Sequence, residues 1–257
     1  LIDNGLLTAS VTDVMERVIF SEDLDAAAAV DLVIEAIPEK FQLKQQLFQK
    51  LEQLCKPQAI LASNTSGIPI TQIANTIQTS ERVIGTHFYM PAHLIPLVEV
   101  IQTEHTSEPV IEETMNFLTR MGKTPVRVRK DIPGFIGNRL QHALAREAMS
   151  LLEQGVASAE DIDLVVKASL ALRLVFTGPV EQRDFNGLDI HLAIAEYLYP
   201  ELENTTEPLE ILKNKVADNE LGIKTGKGFY DWRDKNIPEI QAQKNQELIN
   251  LLKIIQD

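Results

Sequence analysis

The chain has 257 residues, 44% apolar and 24% charged, with a formal charge of −13. That apolar content supports one large or two modest cores and excludes a disordered chain, while so acidic a surface repels phosphate backbones and anionic lipid. No apolar run approaches the ~20 residues of a membrane span, and a single cysteine, Cys55, leaves no intrachain disulfide and points to a reducing, cytoplasmic setting.

Short β-rich runs recur through the first half, at 18–20 (VIF), 31–37 (DLVIEAI), 59–62 (AILA), 83–88 (VIGTHF), 97–101 (LVEVI) and 126–128 (VRV). Several are apolar on both faces, as in parallel strands covered by helices. Between them, Leu43, Leu47, Phe48, Leu51, Leu54 and Cys55 form one helical stripe that stops before Pro57. A second helix is predicted from Pro109 to Met121, entered through Ser107 and closed by Gly122. This alternation predicts an α/β fold with a partial doubly wound, Rossmann-type parallel sheet over residues 1–131.

After Asp131 the texture changes. Ile136, Leu140, Ala143, Leu144, Ala148, Leu151 and Leu152 keep a helical period up to Gly155. Ser158, with Asp161 three residues on, opens another helix. Further helical patterns cover 188–199 and 239–255, so residues 132–257 read as an all-α domain. The acidic group Glu201, Glu203, Glu207 and Glu210 reads as exposed helix surface, and Arg127, Arg129 and Lys130 as a solvated strand edge.

In an open parallel sheet ligands bind beyond the carboxyl ends of the strands. The sequence 64–66 (NTS) follows one strand, His87 closes another, and Glu35, Glu39 and Lys44 cluster after a third. Glu99 lies among valines, where a carboxylate needs a cation or several hydrogen bonds. A histidine held by a buried carboxylate is a common acid–base arrangement. Taken singly, His87 reads more simply as a satisfied core histidine, Glu99 as a structural ion-pair member and Ser66 as a helix cap. The histidines at 93, 105, 142 and 191 show no metal-ligand spacing, so no metal is expected.

Together NTS at 64–66, HF at 87–88, PLVEV at 96–100, PGFIGNR at 133–139 and KTGKGFY at 224–230 resemble, in that order, the L-3-hydroxyacyl-CoA dehydrogenase family. The spacings of 21 residues from Ser66 to His87 and 12 from His87 to Glu99 fit it as well. The resemblance implies a Rossmann domain followed by a helical domain that forms a homodimer. It also implies oxidation of a small-molecule 3-hydroxyacyl-CoA by hydride transfer to NAD, a step of fatty acid metabolism. His87 would be the general base and Glu99 its support, with Ser66 and Asn138 bonding the reacting oxygen and substrate carbonyl. Glu39, Lys44, Ser66, Met90 and Lys224 fall at cofactor-contacting positions of the family.

Three departures qualify this. No GxGxxG occurs, and the family pattern begins at Leu1 close to its third strand. The first βαβ of the Rossmann domain is therefore expected to lie outside these 257 residues, which alone are not expected to bind NAD measurably. Met90 stands where the family usually has an asparagine, and a thioether cannot replace an amide's donor and acceptor. Lastly, the stretches 138–155 and 171–181 are similar to a branch containing L-gulonate dehydrogenase, lambda-crystallin and carnitine dehydrogenases. That leaves two alternatives: a dehydrogenase of a small free 3-hydroxy acid, and a non-catalytic crystallin-like protein.

Overall fold

Three short apolar segments, β1 (Leu32–Glu35), β2 (Ile60–Ser63) and β3 (Val83–Phe88), lie side by side and parallel in a computed structural model that describes residues 2–5, 7 and 9–256. β4 (Leu97–Ile101) and β5 (Thr124–Val128) complete one sheet in the order β1-β2-β3-β4-β5. All of β2 is buried because helices cover both faces. On one face Leu61, Val83 and Ile101 pack with Phe48 and Leu51 of α2 (Phe41–Leu54) and with Ile70 and Ile73 of α3 (Ile70–Ala74). On the other, Ile60, Ala62, Ile84, Val98 and Val100 meet Ile111 and Leu118 of α4 (Glu108–Arg120). A Cβ at Gly85 would lie 2.8 Å from the Ile70 side chain, so glycine there is what lets α3 approach the sheet.

The sheet departs from the all-parallel expectation. β4 runs antiparallel to β3 and parallel to β5. Residues 89–96 are too few for a helical crossover, so the chain can only turn back on itself, whereas α4 supplies the crossover from β4 to β5. The VIF run at 18–20 is not a strand. Ile19 and Phe20 are 91% and 81% exposed, with no neighbouring strand to share a ladder. The short helix before it, α1 (Val11–Met15), is fixed by a capping box between Ser10 and Asp13.

The chain divides into two compact units. One takes the residues through Arg139 together with those from Asn245 onward; the other is Leu140–Lys244. The division therefore falls inside α5 (Gly137–Glu153), while the change of texture lies near 131. In the first unit, Ile249 and Leu252 of α11 (Ile237–Gln256) pack on Leu94 in the β3–β4 link. The second unit is helical. It contains α6 (Ala159–Val165), a π-helical stretch Val166–Ala171, α7 (Leu172–Leu174), α8 (Pro179–Asn186), α9 (Leu188–Leu198) and α10 (Glu210–Ala217). Ser158 caps α6 by accepting from the Asp161 amide. Ser107 stands at the N-cap of α4, yet its side chain makes no cap bond.

Two surface readings change. Glu203 is not helix surface: it lies in the connection ahead of α10, accepts from the Ser150 hydroxyl and the Thr205 amide, and is anchored by its own amide to Glu147. Arg127 is not merely solvated; it forms a bidentate bond to Glu108 and a third to Gln102. Among the described residues no helix is long and apolar enough to cross a membrane.

Candidate active site

Side chains alternate along a strand, so Val83, Gly85 and His87 of β3 share a face, as do Glu99 and Ile101 of β4. In the antiparallel register His87 stands directly opposite Glu99. The spacing of 12 residues is thus the arithmetic of a hairpin-like return, and it brings His87 Nδ1 within 2.8 Å of Glu99 Oε2. Both are buried, at 4% and 1% exposure.

Glu99 has further donors. Its Oε1 accepts the amides of Ile136 and Gly137 at 2.9 and 3.0 Å, at the N-terminus of α5. Its Oε2 also accepts from Tyr89 Oη at 3.0 Å. Burial opposes its ionisation, but the hydrogen bonds from His87, the two amides and Tyr89 together hold it below the usual carboxylate range. Burial, and then the Glu99 charge, push the Tyr89 phenol well above its ordinary value, so it stays protonated as a donor. Phe135 is fully buried with its ring 5.7 Å from that of His87. Its φ of 50° is left-handed, a conformation costing of order 1–3 kcal/mol that close packing must hold in place. That bend is what aims the Ile136 and Gly137 amides at Glu99.

A second network joins the carboxyl ends of β1 and β2. Lys44, 1% exposed, gives its ammonium to Glu35 Oε1 at 2.7 Å, Glu39 Oε2 at 3.2 Å and the Ile37 carbonyl at 3.2 Å. With three donors and three acceptors, Lys44 is fully engaged inside the protein. Glu39 also accepts from Thr65 Oγ1 and the Ser66 amide. Burial resists its ionisation, while the bonds from Thr65, Lys44 and Ser66 pull it below the usual range.

Asn138 Nδ2 donates to the Ser66 carbonyl at 2.6 Å, which ties this loop to the first turn of α5. Asn64 Oδ1 accepts the Phe88 amide at 2.9 Å and holds the loop to the end of β3. Within the first unit, hydrogen bonds thus join His87 to Glu99, Glu99 to the first turn of α5, and Asn138 of that turn to the Ser66 carbonyl. Met90 follows Tyr89 and is 83% exposed. Lys224 belongs to the second unit, exposed in a turn closed by the Gly222–Lys227 bridge. Tyr89, Phe135 and the Ile136 and Gly137 amides were not singled out from the sequence. For Phe135 and the two amides the one signal was PGFIGNR, whose glycines mark backbone in special conformations or close approach. Among the described residues no cluster could hold a metal.

Comparison with known proteins decides the family. Residues 1–132 match the 3-hydroxyacyl-CoA dehydrogenase, NAD binding domain, and residues 134–232 match the C-terminal domain of the same enzymes. The chain belongs to the 3-hydroxyacyl-CoA dehydrogenase family. Within this family it is 41% identical to a probable 3-hydroxybutyryl-CoA dehydrogenase of Bacillus subtilis, over 88% of this chain and 77% of that one. It is also 41% identical to the human mitochondrial hydroxyacyl-coenzyme A dehydrogenase, over 81% and 67%. The 5-formyl-3-hydroxy-2-methylpyridine 4-carboxylate 5-dehydrogenase of Mesorhizobium japonicum is 34% identical, over 92% and 77%. A crystal structure of an enzyme with that activity, described as an NAD+ dependent dismutase, superposes with a TM-score of 0.89 over 92% of this chain and 77% of that chain.

As a member of this family the protein is an NAD-dependent oxidoreductase. The residues present fit one half of that cofactor. The partly exposed Glu39 carboxylate suits a cationic nicotinamide and its ribose hydroxyls, and the exposed Ser66 hydroxyl adds a donor. A Gly-rich turn for the pyrophosphate is not among the described residues.

Proposed function

We propose that the protein oxidises the 3-hydroxyl of an L-3-hydroxyacyl-CoA to a ketone, with His87 as general base. The observation that carries this is the Nδ1–Glu99 bond of 2.8 Å. With Nδ1–H donating to Glu99, Nε2 holds the lone pair, and no hydrogen bond among the described residues occupies it. The hydroxyl proton passes to Nε2 as the carbon–oxygen double bond forms. NAD, when bound, accepts the hydride that leaves the carbinol carbon. Glu99 fixes the ring and stabilises the imidazolium. Asn138, with one Nδ2 hydrogen beyond that given to Ser66, and the Ser66 hydroxyl bond the reacting oxygen and the substrate carbonyl. Glu39 faces the nicotinamide half of the cofactor, and Lys44 acts on it from beneath by holding Glu39. Met90 and Lys224 stand at positions where the resemblance implies a cofactor contact, although the Met90 thioether offers no amide donor or acceptor.

The likeness to the pyridine-carboxylate dehydrogenase favours a second reading, a substrate that is a free acid without coenzyme A. A gulonate- or carnitine-like hydroxy acid belongs to the same reading. The preserved His87–Glu99 pair argues against a non-catalytic, crystallin-like role. Turnover of the full-length gene product with NAD and a panel of substrates decides between them. The higher kcat/KM is expected for 3-hydroxyacyl-CoA esters; equal or faster turnover of free acids would overturn the CoA reading.

We also propose that the helical half carries the dimer contact and part of the substrate site, and that the protein works in a reducing compartment, the cytoplasm. On α9, Leu188, Ile190 and Leu192 are each more than half exposed, and Phe176, Val180 and Phe185 nearby in sequence are exposed further still. A monomer rarely leaves so many large apolar groups in water, and a two-fold contact would cover them. Sedimentation is expected to give a dimer at micromolar concentration. A monomer alone at that concentration would contradict the proposal.

A further inference from the structure

Two donors compete for one oxygen of Glu99. His87 Nδ1 lies 2.8 Å from Oε2 and Tyr89 Oη lies 3.0 Å from the same atom, while Oε1 is taken by the Ile136 and Gly137 amides. The Tyr89 ring is also 4.5 Å from the His87 ring. A phenylalanine would make that ring contact equally well, so the hydroxyl needs its own explanation. Space has been left for it: a Cβ on Gly137 would stand 1.8 Å from Tyr89 Oη.

We infer that Tyr89 is a positioning residue that sets the working pH of the His87–Glu99 pair by sharing the Glu99 carboxylate with the imidazole. This rests on the reading of His87 as the base. The phenol directs the positive end of its O–H dipole at Oε2 and uses part of the carboxylate's charge. Less of that charge is left to stabilise an imidazolium, so the ring keeps its lone pair to lower pH. Against its burial, the hydrogen bonds from His87, the two amides and Tyr89 favour the Glu99 anion. The groups against His87 are Glu99 from β4, Tyr89 from the β3–β4 link and the uncharged Phe135 ahead of α5. Arg139, in the first turn of α5, gives its guanidinium to the Pro133 carbonyl.

The test is Tyr89→Phe in the whole protein, with two readouts: the NMR titration of the His87 ring, identified by its loss in His87→Gln, and the pH profile of kcat/KM. Both the titration midpoint and the acid limb are expected to move up by roughly 0.5–1 unit. A side chain that only supports the fold would lower rates and stability at every pH and leave both midpoints in place. A midpoint for the ring that is unmoved, or moved down, overturns the inference. A ring midpoint that moves up with an unmoved rate limb sustains the role of Tyr89 and instead removes His87 as the base. If Tyr89→Phe does not fold, a monofluorinated tyrosine at 89 keeps the ring and strengthens the donor. It is expected to shift both midpoints down, and an unmoved ring midpoint overturns the inference.

Discussion

Replacing Lys44 by methionine is expected to destabilise the first unit by about 3–5 kcal/mol at neutral pH, the usual cost of removing one partner of a buried ion pair. Lys44 and Glu35 are almost wholly excluded from water and lie 2.7 Å apart. Without the ammonium, Glu35 keeps its bonds from the Ile37 amide and Ser63 Oγ but loses its counter-charge. Replacing both, as Glu35→Gln with Lys44→Met, removes the orphaned charge and should recover much of the stability. Urea unfolding at pH 7 checks this. Equal midpoints for the wild type and Lys44→Met at pH 7 would show that the buried pair does not hold the carboxyl ends of the strands. The same substitution should weaken cofactor binding indirectly, because Glu39 loses the cation that holds it.

Much of the site was legible from residue type and from the family resemblance, which together paired His87 with Glu99. The antiparallel return that sets the two opposite each other was not legible, because the strands read as parallel. The positions of β1 to β4, α2 and α4 followed from apolar period and from punctuation by Gly122 and Pro57, whereas the five-residue α3 was too short to show a period. Other features left no such mark. Backbone amides have no residue signature, so the two that bind Glu99 emerge only once Phe135 is seen in a left-handed turn. The Tyr89 hydroxyl reads as one more aromatic until its oxygen is placed on Glu99. Lys44 read as a cofactor-contacting residue from the resemblance, but its burial is set by the chain packed around it, which one helix turn does not reveal. The VIF run at 18–20 misled for the converse reason. β-propensity reports how well a residue fits a half-buried pleat, and no pleat is offered there.

The central claim is that His87 Nε2 takes the substrate proton, and the pH dependence of kcat/KM for His87→Gln tests it most directly. Glutamine can still bond Glu99 and fill most of the ring's space, but it cannot accept a proton near neutral pH. Turnover should fall by ~10²–10⁴-fold, the share general acid–base catalysis usually supplies. The acid limb of the wild-type profile should vanish with it, since no imidazole remains to be protonated. A variant that keeps near-wild-type kcat/KM with the acid limb intact would contradict the account and place the base elsewhere.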